Sequence, residues 1–228
     1  MALTLVLVPG LGLGAEAWAP TLRRSAYAGE AVVRCLPGYG EPAGGADLRP
    51  RALAERLLGE TPRGADLVLA GHSASCQVVS QAAVLAGVRV RGLLLVGPTT
   101  DPRAPSWARL AGRWLRTAGH EPPWQLPALA RQYGRTGLPS MWRAMDAARR
   151  DRIDVALHAW GGPALVVRGR HDRICPDDWG RALAAQSPGG SLASLSRGGH
   201  MVPLTHGDLV APLLDALVSR VGRGPAQR

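Results

Sequence analysis

The sequence predicts an α/β fold: a mostly parallel, doubly wound sheet of about six strands, helices on both faces, and a helical segment inserted after the fourth strand. Three observations carry that expectation. Short, nearly continuous apolar runs such as Leu3–Val8 and Val90–Val96 have the length of strands buried on both faces. Segments with apolar residues at helical spacing follow most of them, and such alternation gives a parallel sheet covered on both sides. From Thr99 to about Ala159 the strand rhythm stops, and the chain becomes rich in Trp, Met, Pro and Arg.

In chain order, Leu3–Val8 reads as the first strand and Pro9–Gly14 as the loop leaving its carboxyl end. Trp18–Ser25 is expected as a helix and Ala31–Cys35 as the second strand. The Pro and Gly of Leu36–Pro42 allow only a turn. Leu48, Ala52, Leu53, Arg56 and Leu57 give a helical stripe to Glu60, closed by Pro62 and Gly64. Leu67–Ala70 is the third strand, and Val78, Val79, Ala82, Ala83 and Ala86 mark the helix after it. Val90–Val96 is the fourth strand, ending at Gly97-Pro98. After the insertion, Ala164–Val167 returns as the fifth strand, Trp179–Gln186 as a helix and Ser191–Leu195 as the sixth strand. Leu209–Val221 closes the fold with one apolar face, and Gly222–Arg228 reads as a frayed tail. The expected division is a core of residues 1–98 and 160–228 and a helical cap of residues 99–159.

A chain of 228 residues can bury roughly 70 to 75% of its unfolded surface, enough for one substantial core. Its 46% hydrophobic and 19% charged residues exclude a disordered chain. The formal charge of +10 comes from arginine alone, since lysine does not occur. The arginines are scattered and accompany no nucleic-acid motif, so DNA and RNA are not expected partners. An acidic or carrier-bound substrate stays open. No apolar stretch reaches about 18 residues, which argues against a membrane span. Leu3–Val8 is too short for a secretory leader, and the expected location is the cytoplasm. Cys35, Cys76 and Cys175 are odd in number and widely spaced, so each is expected as a small buried hydrophobe. The histidines show no metal-ligand spacing, and no metal or cofactor is expected. Oligomeric state is not legible.

In such sheets the loops at the carboxyl ends of the strands carry the site. The stretch Gly71-His72-Ser73-Ala74-Ser75 places Ser73 where the third strand turns into a helix, and small flanks suit a sharp, strained turn. A serine is a weak nucleophile by itself and needs a base, a group orienting that base, and donors for an oxyanion. After the fifth strand Asp172 is the best-placed carboxylate, and after the sixth His200 follows Gly198-Gly199. The order Ser73, Asp172, His200 suits a nucleophile-elbow enzyme. The oxyanion donors would be the backbone amides of Ala74 and Leu11, with Gly10 and Gly12 letting their loop bend.

Together these pieces resemble the α/β-hydrolase superfamily, in its small, capped form. They are Val8-Pro9-Gly10-Leu11-Gly12 with Trp18 beyond, Leu36-Pro37-Gly38-Tyr39-Gly40, Gly71-His72-Ser73-Ala74-Ser75, Gly169-Arg170-His171-Asp172-Arg173-Ile174-Cys175-Pro176 and Gly199-His200. The resemblance spans Leu3 to Val221, the cap excepted. Departures are Pro9 in place of the usual histidine and Ser75 in place of glycine. The resemblance implies a serine hydrolase that cleaves an ester, thioester or lactone through an acyl-enzyme. A cap shuts a site from water with an apolar inner wall. Trp107, Trp114, Trp142 and Met145, with Met201 beside His200, are therefore candidate pocket residues, and a largely apolar small molecule is the expected substrate.

Other readings stand beside this one. Asp101, just past the fourth strand, is the alternative acid, and His206 a weaker alternative base. Asp172 could instead pair with Arg170 or Arg173, and the Trp and Met residues could form the cap's own core. A cyclase or other non-hydrolytic enzyme of specialised metabolism could use the same pocket, and a non-catalytic binding protein could share the fold. Gly10-x-Gly12-x-x-Ala15 also fits a dinucleotide fingerprint. The acid expected about 20 positions on is missing, and Arg34 there would suit only an NADP-binding oxidoreductase.

Overall fold

The computed structural model describes residues 3–104 and 106–222, so the predicted tail after Gly222 lies outside the described residues. Strands β1 (Leu3–Val8), β2 (Ala31–Val33), β3 (Asp66–His72), β4 (Val90–Val96), β5 (Ala164–Arg168) and β6 (Ser191–Ser194) form one parallel sheet in the order β2-β1-β3-β4-β5-β6. The apolar runs are continuous because each strand feeds two cores. Val6, Val8, Leu67, Leu69, Leu93 and Leu95 face one side, while Leu5, Leu7, Val68, Ala70, Leu94 and Val96 face the other. Helices α1 (Pro50–Gly59) and α2 (Ser75–Ala86) pack together on the first side. Helix α8 (Gly207–Gly222) covers the second through Val210, Leu214 and Leu217.

Topology then selects the site. The chain leaves β1 outward to β2 and returns across β1 to β3, so the loops after β1 and β3 part in opposite directions and open a crevice there. Register places Val8 opposite Gly71 and His72 opposite Val96, with Val96 also opposite Val167. The carboxyl ends of β1, β3, β4 and β5 are therefore neighbours.

Four helices separate β4 from β5: α3 (Trp107–Ala118), α4 (Leu126–Thr136), α5 (Leu138–Ala148) and α6 (Ile153–Trp160). They are seated on the crevice by buried bonds. Gln132 Oε1 accepts from the Gly14 amide at 2.8 Å, and the Thr136 hydroxyl donates to Gly12 O at 2.9 Å. α6 lies on α2, and Gln77 reaches across to donate to Ala148 O at 2.9 Å. Helix α7 (Asp177–Ala184) returns against β5 and β6.

Some local expectations differ from what forms. Instead of a helix over Trp18–Ser25 there is a 3-10 turn at Ala15–Ala17 and a short helix at Ala19–Leu22. Asp215 of α8 captures the chain at this point, accepting from the Ser25 hydroxyl at 2.5 Å and the Ala26 amide at 2.9 Å, and the helix ends. The second strand stops at Val33 rather than Cys35. The turn at Leu36–Pro42 contains two paired two-residue strands, Leu36–Pro37 and Gly40–Glu41, with Gly38 at φ 84° and Gly40 at φ 97°. No helix among the described residues is long and apolar enough to cross a membrane.

Candidate active site

Ser73 sits at φ 58°, the one non-glycine residue with positive φ among the described residues. Such a conformation costs on the order of 1–3 kcal/mol and persists only where its surroundings enforce it. Here the Ser73 amide donates to Val96 O at 2.8 Å, and Ser73 O accepts from the Cys76 amide at 3.1 Å. Gly71 is required because a Cβ there would lie 2.9 Å from the Cys76 backbone. Ser75, the departure from the usual glycine, is fully buried. Its hydroxyl accepts from the His72 amide at 2.8 Å and shares its proton between Val8 O at 3.0 Å and His72 O at 2.9 Å. One side chain thus ties the end of β1 to the turn.

Asp172 is completely buried in the loop after β5. Its Oδ1 accepts from the Ile174 and Cys175 amides at 2.8 and 3.0 Å, and its Oδ2 accepts from His200 Nδ1 at 2.8 Å. Arg168 fixes the loop by donating to Asp172 O and Cys175 O, both at 2.8 Å. With Nδ1–H given to the carboxylate, the imidazole keeps its lone pair on Nε2. That atom is buried with no hydrogen-bond partner among the described residues. Burial by itself would depress the His200 pKa. The neighbouring Asp172 outweighs it through charge and hydrogen bond, Glu121 adds to it, and the ring sits above the ordinary histidine value.

Two residues that sequence reasoning missed shape this pair. Gly97, at φ 56°, ends β4 beneath it, and a Cβ there would lie 2.9 Å from the His200 ring and 3.0 Å from Asp172 Oδ2. Gly97-Pro98 reads in sequence as punctuation alone. Glu121, in the turn after α3, accepts from the His200 amide at 2.5 Å and the Met201 amide at 2.9 Å. No spacing in the insertion distinguishes it.

His72 is buried behind His200, ring centroids 5.0 Å apart, and hydrogen-bonds His200 O through Nε2 at 2.9 Å. Burial, with His200 nearby, lowers its pKa to about 3. It is therefore neutral, with Nε2 the protonated atom. Asp101, the alternative acid, is also buried but accepts from Arg103 and from Arg113, the latter at 2.7 Å. Burial tends to raise its carboxyl, and these guanidiniums hold it below the usual carboxylate value. His206 bonds the Thr205 hydroxyl at 2.8 Å.

Ser73, His72 and His200 line one cavity of about 440 Å³. Leu11, Trp107, Trp114, Met145 and Met201 line it too, together with Leu110 and Met141. Trp142 does not line it; 60% exposed, it stacks on Trp107, which does, with centroids 3.8 Å apart, and borders the larger neighbouring cavity instead. A larger cavity of about 950 Å³ is walled by charged residues such as Asp47, Arg49 and Arg150 and contains none of Ser73, Asp172 or His200. Ala74 is the N-cap of α2, its side chain fully buried. Bonds from Gly12 N to Gly38 O and Leu13 N to Gly10 O shape the loop that holds Leu11.

No curated protein matches the chain in sequence. Among solved structures it is similar to an enol-lactonase from Burkholderia xenovorans, with TM-score 0.76, 18% identity, and 96% of this chain and 92% of that one covered. It is also similar to a lipase-esterase related protein from Clostridium acetobutylicum, with TM-score 0.77, 13% identity, and 94% of each chain covered. A hydrolase from Oleispira antarctica gives TM-score 0.73 at 14% identity, covering 96% of this chain and 91% of that one. The sequence profile of the alpha/beta hydrolase family matches residues 5–213. With that match over most of its length, the chain belongs to the alpha/beta hydrolase family and is a hydrolase enzyme.

Proposed function

We propose that the protein is a serine hydrolase that cleaves an ester, thioester or lactone of a largely apolar small molecule through an acyl-enzyme. The observation carrying this reading is the Asp172–His200 pair, 2.8 Å apart, with the unpartnered His200 Nε2 buried beside a cavity that Ser73 also lines. Ser73 Oγ attacks the substrate carbonyl while His200 Nε2 takes its proton, and Asp172 stabilises the imidazolium that results. The tetrahedral oxyanion is met by the Leu11 and Ala74 amides, each worth about 10² to 10³ in rate. His200 then protonates the leaving oxygen or sulfur, and the acyl group stays on Ser73. In the second half His200 draws a proton from the water that attacks the acyl carbonyl, and returns it to Ser73 Oγ as the bond from Ser73 to the acyl group breaks and the acid leaves. For a lactone both products remain one molecule, a hydroxy acid. Nucleophile and base commonly close to bonding distance when substrate arrives.

The cavity wall supports an apolar substrate, as its lining contains no arginine despite the positive charge of the chain. Residues 99–159 act in this reading as the cap, since Trp107, Trp114, Met141 and Met145 supply much of that wall. The name of the enol-lactonase neighbour favours including lactones. A fluorophosphonate probe tests the reading: mass spectrometry should find the adduct on Ser73, and Ser73→Ala should abolish labelling. Ester turnover in that variant should fall on the order of 10⁵-fold. Wild-type protein left unlabelled by the probe would overturn it.

A further inference from the structure

Glu121 stands out among the carboxylates that the proposed reaction does not use. It lies in the insertion between α3 and α4, far in sequence from the β6 loop, yet its Oε1 receives both the His200 and the Met201 amides, at 2.5 and 2.9 Å. Its Oε2 accepts from Gln125, a buried side chain, at 3.0 Å. Gly199 makes the approach feasible, since a Cβ at that position would lie 2.5 Å from Glu121 Oε1. Glu121 and His200 also share the wall of a smaller cavity of about 220 Å³. No guanidinium pairs with Glu121 among the described residues, so its negative charge is directed at the histidine loop.

We infer that Glu121 is a positioning residue: through it the helical insertion grips the backbone of the histidine loop and fixes where the His200 ring stands. The inference rests on the serine-hydrolase reading for its effect on turnover. Two consequences follow from the geometry. Displacement of the insertion would release the loop, so the base is in register only when the insertion is seated. The carboxylate also favours the imidazolium that forms during attack. From the elements packed around the ring, the titratable groups facing it are Asp172 from the β5 loop, His72 from the end of β3, Glu121, and Tyr133 of α4, which shares both cavities with it and whose phenol burial pushes further up. His72 is neutral and Asp172 is common to every variant below, so the part due to Glu121 can be isolated.

Glu121→Gln and Glu121→Ala separate charge from grip. A glutamine keeps an oxygen for both amides. With the Gln125 amide turned over, the buried Gln125 Oε1, which has no partner among the described residues, accepts from the new NH₂ group that replaces the oxygen Gln125 Nε2 now bonds. Glu121→Gln should therefore fold normally and keep kcat within about tenfold, while the His200 titration followed by ¹⁵N NMR moves to lower pH, since the Glu121 charge helps to raise it. Glu121→Ala should lose both effects, with kcat falling on the order of 10- to 100-fold as the ring drifts out of line, and Gln should restore most of that loss. An unmoved His200 titration in both variants overturns the inference, even where stability falls or KM rises, because a merely structural contact would do that much. The titration needs no turnover: failure of Ser73 labelling would sink the hydrolase reading alone, whereas a fixed His200 midpoint in a labelling-competent enzyme would sink the role of Glu121 alone.

Discussion

In the proposed reaction His200 must be neutral to accept a proton, and its pKa lies above the ordinary histidine value of 6.5 because Asp172 and Glu121 outweigh burial. In the wild-type enzyme kcat/KM should consequently rise with pH through a limb above 6.5. Asp172→Asn takes away the main raising influence and leaves burial in command. The limb should then move to lower pH, with kcat/KM down about 10⁴-fold because the ring loses its tautomer. A pH–rate profile of the two proteins checks both, and a limb that stays in place would separate Asp172 from the base. The pairing of Asp172 with His200 could be anticipated from the sequence because each lies in the loop after a strand, where topology alone assigns the loop to one sheet edge. The sequence favoured Asp172 but kept Asp101 as the alternative acid, since both lie in loops that follow a strand. The guanidiniums that occupy Asp101 come from its near neighbour Arg103 and from Arg113, and the second pairing depends on where α3 comes to rest.

The turn from β3 into α2 shows how an element can depart from a family pattern and remain well bonded. Ser75 stands in place of glycine, and its single hydroxyl serves the His72 amide and two carbonyls, one of them at the end of β1. Removing it would take the hydroxyl from the buried His72 amide, and one buried donor left unsatisfied typically costs about 1–3 kcal/mol, whereas Val8 O keeps the Trp18 Nε1 donor at 3.1 Å. Ser75→Ala should therefore lower stability to denaturant by about 1–3 kcal/mol, a loss that urea titration would measure. An unchanged midpoint would mean that water or neighbouring groups replace the hydroxyl. The strands themselves were readable from apolar runs that feed two cores at once. Helix ends were less so, as at Leu22, where Asp215 closes the chain from nearly two hundred residues away. Glu121 was illegible for the same reason: the amides it accepts from, those of His200 and Met201, lie 79 and 80 residues further along the chain.

Taken as a whole, the molecule has an acid response set by buried groups of opposite sign. His72 is kept neutral by burial, with its pKa lowered to about 3 against 6.5 when exposed. The unfolded chain takes up a proton that the folded one refuses. The His72 contribution is therefore complete above 6.5 and declines as pH falls toward about 3, at up to about 1.4 kcal/mol per pH unit. Asp151, raised to about 6 chiefly by burial, works the other way. The folded chain binds its proton first, so stability is gained as pH falls from about 6 toward 3.8. His72→Asn should flatten the loss of stability between pH 7 and pH 5, and Asp151→Asn should steepen it. Denaturant unfolding at those two pH values, about one unit either side of where both groups begin to titrate, checks the pair. Equal slopes in all three proteins would show that neither burial matters to folding.

Gly97 carries a consequence for anyone diversifying this enzyme. It lies under the acid–base pair with no room for even a methyl group, and its backbone adopts a conformation that other residues resist. Libraries selected for new substrates should therefore return this codon unaltered. Improved variants would be recruited from the tryptophan and methionine positions of the overlying helices, so the floor of the site is fixed while its ceiling is free to evolve.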